Sequence, residues 1–493
     1  MNYGYKHGAY GIVEANGTKL AAKSGSAFVY VGTAPVHTIK GGKANVNKPV
    51  LINNMAEARK LFGYSDDWAK YTLCEAMYAH LQLAGVGPLV LINVLDPETH
   101  KAAESGTVTL TPENGQVKIV NAGDIILDSV AVTGKTLDTD YTINYNIDRQ
   151  IITLTEMKSG GLGNEQLTIT YNSVDASKVT GETVIGSTDG MGLNKGLYAI
   201  KNVYQATGYN PAYLLSPGFS TDPEVHKEML RCANKVNKHW DVIVYADIPI
   251  VDGEGGAVTL LTVSGWKTAH GYNAENEKVF FPMAKGTDGK KYHLSVLGAA
   301  NLEKLLVQQD GVPYKSCSNT ACPIIQNLYL GEEYEGRVYD DSMINEMLNQ
   351  YGITSAAYVG GRWAIWGSSA AAYGPDDDSG VNVFDTNMAM LYYVCNDFQK
   401  RRSIDVDKPV TLNDLQTIAA EENARLEALM KIGALTSGEV YINADAIEYS
   451  DVVNGDYAFA FKVSTTPLAK SLTAYVGWDE EGYVIFYNSL RGE

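Results

Sequence analysis

Cysteine is scarce and unpaired in this sequence. The five cysteines, Cys74, Cys232, Cys317, Cys322 and Cys395, are odd in number and scattered, which excludes a disulfide-framed scaffold. Cys317 and Cys322 stand close together, yet no histidine or second cysteine pair completes a zinc-ligand spacing. Three of the five fall in helix-like apolar patterns, where a thiol serves as a small buried hydrophobe. Basic residues are also in deficit: 39 Lys and Arg against 57 Asp and Glu leave a net charge of −18. That sign argues against wrapping nucleic acid or lying on an anionic membrane. Long hydrophobic runs are missing too. No stretch approaches the roughly 20 apolar residues of a membrane helix. The opening Met1-Asn2-Tyr3-Gly4-Tyr5-Lys6 is not followed by an apolar core, so the expectation is a chain made and kept in the cytoplasm.

Catalytic signatures are likewise lacking. His226 and His239 share one helical stretch, and His270 and His293 flank strand-like segments, but no Gly-x-Ser-x-Gly elbow or His-Glu-x-x-His helix accompanies them. Packing or solvation is the expected role of all four. Gly253-Glu254-Gly255-Gly256 has no Gly-Lys-Ser/Thr ending, and its glutamate would repel phosphate, so it reads as a turn. Asp376-x-Asp378-x-Gly380 begins like a calcium loop, but Asn387 stands where the bidentate acid is needed. The expectation is no catalytic residue, no metal and no cofactor. Lys400-Arg401-Arg402 is the one compact basic cluster; it suits either a helix C-terminus or an acidic partner surface.

What is present is apolar content of 45% and 48 glycines in 493 residues, enough for two to four domains. Ala27–Ala34, Pro49–Ile52 and the continuous Leu89–Leu95 run read as buried strands. Between them, Ser65 or Asp66 can cap a helix bearing Leu73, Met77 and Leu81. From Gly106 to about Val179 the texture alternates (Val108/Leu110, Val117/Ile119, Tyr141/Ile143/Tyr145, Ile151/Thr153/Thr155, Leu167/Ile169/Tyr171), which predicts an inserted all-β module. The α/β pattern then resumes, with a helix around Leu197–Tyr204, a strand at Ala212–Leu215, and a helix from Asp222-Pro223 to about His239. There follow a strand at Val242–Tyr245, helices at Leu294–Gln308 and Asp341–Tyr351, and a strand at Ala356–Val359. Pro375–Gly380 reads as an exposed hinge. Beyond it lie two helices and the strands Val440–Ile442, Ala458–Val463 and Leu472–Val476.

Both ends pose the same question. Tyr483-Val484-Ile485-Phe486-Tyr487 reads as a strand apolar on both faces, at a place where chains usually fray. Met1–Val13 is rich in Tyr and Gly and could also pair as an extended strand. The residues alone leave open whether the tail closes its own sheet or a neighbour's.

Several blocks, taken in order, resemble the sheath proteins of contractile phage tails and R-type bacteriocin particles. They are Tyr5–Tyr10, Phe28–Pro35, Gly63–Leu73, Val94–Pro97, Gly311–Asn319 and Arg362–Gly367. The resemblance implies a non-enzymatic α/β multidomain protein. It has a subtilisin-like α/β core without a catalytic triad (21–103 and 182–374), an inserted all-β sandwich-like module (104–181) and a C-terminal α+β domain facing a tail tube (375–480). Extended arms (1–20 and 481–493) complete it. His7, Ala9, Tyr10, Ile12 and Val13, and Tyr483, Val484, Ile485, Phe486 and Tyr487, are then strands donated to neighbouring copies; Lys400, Arg401 and Arg402 are candidates to touch the tube. The implied partners are further copies in hexameric rings, the tube, baseplate and tail-terminator proteins, with no direct nucleic acid or membrane. The implied setting is a virion or bacteriocin tail assembled in a bacterial cytoplasm. Two other readings compete: a hydrolase-class enzyme with a carbohydrate-binding β module, and an adhesin built on the insertion.

Overall fold

A computed structural model describes residues 25–377 and 379–492. The N-terminal positions His7, Ala9, Tyr10, Ile12 and Val13 lie outside the described residues, as does Asp378.

The apolar runs become one eight-stranded sheet. Its strands are β1 (Ser26–Gly32), β2 (Pro49–Ile52), β3 (Leu89–Asn93), β4 (Asn210–Leu215), β5 (Ile243–Asp247), β6 (Glu277–Phe280), β7 (Ile353–Val359) and β8 (Arg362–Trp366). They lie in the order β8-β7-β6-β5-β4-β1-β3-β2. Every neighbouring pair from β3 to β7 is parallel, and only the edge strands β2 and β8 run antiparallel. Parallel strands need helical crossovers that cover both faces, so β1, β3 and β5 carry unbroken apolar sequence and are buried along nearly their whole length. Two crossovers matter below. Helix α1 (Pro223–Ala233) starts where the Asp222 carboxylate accepts the Glu224 N–H and Pro223 fills the first turn. Helix α2 (Leu294–Gln308) comes so close to the sheet that a Cβ on Gly298 would meet the Phe280 ring at 2.7 Å.

Two helix boundaries differ from expectation. The helix expected to be capped by Ser65 or Asp66 starts only at Leu73, because local bonds hold residues 65–72 in turns: Ser65 Oγ takes the Asp67 N–H and Thr33 Oγ1 takes the Thr72 N–H. Helix α1 stops at Ala233, short of His239, because Lys235, Asn237 and Lys238 adopt left-handed backbone angles.

The insertion forms two three-stranded sheets around its own core of Val117, Ile119, Tyr141, Ile152, Leu154 and Ile169. One strand is shifted by a residue against the expected pattern: Ile152 and Leu154, not Ile151, Thr153 and Thr155, face inward. The module docks on the α/β core with charges of one sign on each side. The core supplies Lys40, Arg59, Lys70, the Tyr71 hydroxyl and the Gly41 N–H; the module supplies Asp138, Asp148, Asp124 and Asp128. The His37 Nε2–H also donates to Gly123 O at 2.8 Å, and burial pushes that imidazole down to about 4, so it is neutral at neutral pH.

The C-terminal part has a third core. Helices α3 (Asp385–Arg402) and α4 (Leu412–Lys431) pack on a two-stranded antiparallel hairpin, β9 (Leu435–Ile442) and β10 (Phe459–Thr465), around Met390, Leu426, Leu429, Leu435 and Val440. Asp385, the first residue of α3, binds Lys278 of β6 at 2.6 Å, fastening this part to the sheet. The predicted strand Leu472–Val476 has no regular structure and is exposed.

Replacing Asp124 with alanine leaves the buried Tyr71 hydroxyl without its acceptor and Lys70 without its partner. The expected cost to module docking is about 1–2 kcal/mol. Hydrogen exchange should rise at the crossings near residues 101–106 and 172–180 while the eight-stranded sheet keeps its protection; unchanged exchange there would contradict the docking scheme.

Candidate functional site

In open α/β sheets, chemistry gathers at the carboxyl ends of the strands. In this protein that region holds Asp247 at the end of β5, with Ser295, His293 and Glu75 around it. Ser295 donates to both Asp247 oxygens, through Oγ at 2.5 Å and through its N–H at 3.0 Å. Glu75 takes the His293 N–H at 2.6 Å and Nδ1 at 2.7 Å. A hydrolase would need the serine hydroxyl on the imidazole and room for a substrate. Here the serine faces the aspartate and the imidazole faces the glutamate, while Glu75, Asp247 and Ser295 are all buried. The hydrolase reading therefore finds no support in this geometry.

Two further histidines are engaged in the same way. His226 Nε2 meets Glu277 Oε1 at 2.5 Å and stacks on Tyr272 with ring centroids 3.6 Å apart. His80 Nδ1 meets Glu303 Oε2 at 2.5 Å, and its Nε2 meets the Tyr30 hydroxyl at 2.6 Å. Each pair joins separate elements, so these histidines act as fasteners. Burial opposes the charge on His293, but the adjacent Glu75 carboxylate and nearby Asp247 prevail and raise it to about 9. Burial raises the thiols of Cys74, Cys232 and Cys322 to about 12 and Cys317 to about 11, which leaves them unreactive at neutral pH. Among the described residues, no group of three or more histidine, cysteine or acidic side chains is placed to hold a metal. No described helix is long and apolar enough to cross a membrane.

The basic cluster turns inward. Arg401 grips Glu422 with two bonds of 2.5 and 2.7 Å and also reaches Asp397 at 3.0 Å. Arg402 shares Glu422 and adds Glu421 and Asp405. Burial disfavours the Glu422 charge, yet the two guanidinium groups hold its carboxyl below the usual range. Lys400 is half-buried, donates to Asn210 Oδ1, and has its ammonium pushed down by burial. A docking cluster needs cations free to meet another surface; these three fasten α3 to α4 and to β4.

The terminal residues are placed together and left open. Tyr483, Val484, Ile485, Phe486 and Tyr487 lie on a helix, α5 (Glu481–Arg491), not on a strand. With no sheet edge among the described residues beside it, the segment satisfies its backbone through internal helical bonds. Its side chains stay 55% (Tyr487) to 67% (Ile485) exposed, and Tyr483 and Tyr487 find partners in Trp478 and Arg491 of the same segment. Residues 472–490 thus form an exposed apolar stretch, the kind of surface that marks an interaction site. Lys278 escaped the sequence reading; its signal is a lysine set directly before the apolar Val279-Phe280-Phe281.

No protein-family model matches the chain. The tail sheath protein of Burkholderia phage BcepMu is 24% identical over 499 residues, covering 96% of each chain. Among solved structures, the helical sheath of the anti-feeding prophage in its contracted state aligns with a TM-score of 0.54 at 14% identity, covering 96% of this chain and 99% of that one. The PVC sheath complex of an extracellular contractile injection system, also contracted, aligns with a TM-score of 0.54 at 12% identity, over 98% of this chain and 100% of that one. The resemblance to contractile tail sheath proteins therefore runs through nearly the whole chain, insertion included, and the fold is theirs.

Two outcomes follow for the fasteners. A histidine raised from about 6.5 unfolded to about 9 folded stabilises the protein fully below pH 6.5, and that stability is lost as pH rises through 9. The difference in unfolding free energy, from urea titration, between the native protein and His293→Gln should therefore shrink across that window, by up to about 3 kcal/mol; a constant difference would contradict the pairing. Glu422→Gln leaves two partly buried guanidinium groups short of a carboxylate and should cost about 2 kcal/mol, discounted because Asp397, Glu421 and Asp405 remain. Thermal unfolding of the isolated subunit checks this.

Proposed function

We propose that this chain is the structural subunit of a contractile tail sheath, polymerising as stacked hexameric rings around an inner tube and shortening to drive that tube through a target cell envelope. The observation that carries the reading is a terminal apolar segment left exposed by all the described residues, in a protein that resembles a tail sheath protein over 96% of its length. The core is read as a subtilisin-like α/β unit whose polar residues hold the fold and perform no catalysis. The largely parallel sheet, closed at its carboxyl end, supports that.

Assembly is proposed to run through the arms. A two-stranded hairpin such as β9–β10 is marginal by itself and gains from further strands. Strands donated by other copies, His7–Val13 and Tyr483–Tyr487, supply main-chain hydrogen bonds and side chains for adjoining pockets. Each large apolar side chain taken from water contributes about 1.5–3 kcal/mol, so a few per junction hold a subunit firmly. Contacts of this head-to-tail kind do not close and so propagate as a helix. Contraction then repacks the globular faces while the arms stay joined, with interface energy as the source. The C-terminal domain faces the tube, and Lys400, Arg401 and Arg402 enter that contact only with the charge their internal carboxylates leave free. Baseplate and terminator proteins are the proposed partners at the two ends of the sheath, in a phage or bacteriocin tail built in the host cytoplasm.

Removing residues 482–493 should give a soluble subunit with native circular dichroism that forms no tubes. Negative-stain microscopy of full-length and truncated protein decides it, and normal tubes from the truncated chain would end the proposal.

A further inference from the structure

The interior histidines of this chain divide by what they bond. In the core, His80, His226 and His293 each face a carboxylate on another element. At the junction between core and insertion, the ring bonds of His37 and His100 among the described residues go to backbone alone. His37 sits on a short 3-10 turn (Val36–Thr38) just after β1 and is buried. Its Nε2 lies 2.8 Å from Gly123 O of the insertion. A carbonyl only accepts, so Nε2 carries the hydrogen and Nδ1 the lone pair. That Nδ1 is buried without a partner. His100 lies where the chain leaves β3 for the insertion. Its Nδ1 accepts the Asp96 N–H at 2.9 Å, so its hydrogen is also on Nε2. Its own carbonyl takes the Asp175 N–H at 2.8 Å, tying the outgoing crossing to the returning one.

A second proton has to enter each ring at Nδ1. In His37 it would find no acceptor, and burial already holds that imidazole down at about 4. In His100 it would displace the Asp96 N–H, and burial lowers that ring too, against the pull of the Asp96 charge. The surrounding charges do not rescue either cation. Beside His37, Asp124 is held by Lys70 and the Tyr71 hydroxyl, Asp128 by the Gly41 N–H, and Glu98 by Lys43. Lys43 and Lys101 add positive charge to the cavity of about 190 Å³ that His37 shares with Asp128 and Glu98. Near His100, Lys178 opposes Asp96.

We propose that the insertion is held by an acid-sensitive latch: it stays docked on the core while His37 and His100 are neutral, and protonation of the two rings in mild acid releases it while the eight-stranded sheet stays folded. The latch lies within one chain and does not depend on the assembly reading above. A ring lowered from about 6.5 when free to about 4 when docked supports docking fully above pH 6.5 and loses that support as the pH falls toward 4. For His37 alone, the opening constant then rises about tenfold for each pH unit below 6.5. His293 has the opposite sign, because its pairing with Glu75 is at full strength in acid. The core keeps that fastener over the range in which the latch lets go.

Two amides report the latch: the Gly41 N–H, which donates to Asp128 across the junction, and the Asp175 N–H, which donates to His100 O. Hydrogen exchange of the full-length subunit is followed at constant ionic strength, as protection factors corrected for the intrinsic effect of pH. From about pH 7.5 to about pH 5, which stays above the ordinary aspartate value of about 3.9, protection at both amides should fall about tenfold or more, while β1 and β3 keep theirs. In His37→Gln/His100→Asn the side-chain amides replace the Nε2–H donor and the Nδ1 acceptor but do not titrate, so the fall should vanish. Each single variant should lose part of it, and both are measured in case the double variant is already open at neutral pH. Equal protection at the two pH values in the native protein overturns the proposal, as does a fall that survives in the double variant or stands undiminished in both single ones. An equal fall in β1 and β3 also overturns it, because acid would then be unfolding the whole chain.

Discussion

A lysine with no exposed side-chain surface, Lys278, couples the two largest parts of this protein. Taking an ammonium out of water costs several kcal/mol unless a partner and further hydrogen bonds replace the lost hydration. Asp385 and the Gly367 carbonyl do so at 2.6 and 2.9 Å, and the Ser316 hydroxyl steadies the carboxylate at 2.8 Å. Because Asp385 is the first residue of α3, the C-terminal domain is pinned to the sheet at the point where its leading helix begins. Loss of either partner would strand the other as a buried charge, so this junction resists partial opening. The insertion is held differently. Its ion pairs are exposed at Lys40–Asp138 and Arg59–Asp148, and such pairs contribute little each and are screened by salt. The molecule therefore has one stiff joint and one soft one. For a subunit proposed to move against its neighbours, force between the core and the C-terminal domain would pass through the stiff joint, while the insertion could shift.

The same logic explains why residues with catalytic potential form no nucleophile–base pair around Asp247. Histidines, carboxylates and serines are abundant in the interior, but His80, His226 and His293 are each paired with a carboxylate on another element. Glu75 reaches the start of α2, Glu277 reaches α1, and Glu303 reaches His80 beneath β1. Such pairs are costly to bury and weak evidence of net stability; they do set which elements meet and in what register. Direct bonds of 2.5–2.7 Å leave no space between the partners for a substrate.

Legibility in the sequence followed the range of the interaction. Leu89–Leu95 announced a doubly covered parallel strand because every position is apolar, and alternation from Val108 to Tyr171 announced the insertion. Local bonds moved boundaries by a few residues: Ser65 and Thr33 delayed one helix, and left-handed Lys235 cut another short. At Ile151-Ile152 two adjacent isoleucines fit either phase, so the inward face was ambiguous until packing chose Ile152. The histidine fasteners were invisible, since His293 and Glu75 are 218 residues apart and His80 and Glu303 are 223. The inward turn of Arg401 and Arg402 was hidden for a similar reason, because their carboxylates sit on the following helix. Asn423 of α4, whose amide bonds the N–H and C=O of Val440 on β9, could not have been read at all; an asparagine in a helix gives no hint that it faces a strand.

The terminal segment departs most from its sequence, and the departure itself carries meaning. Aromatic and β-branched residues favour a pleated surface, yet the segment is helical in the single chain. An isolated helix of 11 residues is marginal in water, and with Tyr483–Tyr487 exposed it has no packed face among the described residues to support it. Little stability is therefore lost when it unwinds. A strand in a neighbour's sheet would recover both the backbone bonds and the burial that the helix cannot provide. The conformation of the tail is then set by what lies beside it. In the proposed assembly, a segment that is weakly helical alone and strand-forming when paired would keep free subunits apart until an acceptor edge is presented, and would hold them once it is.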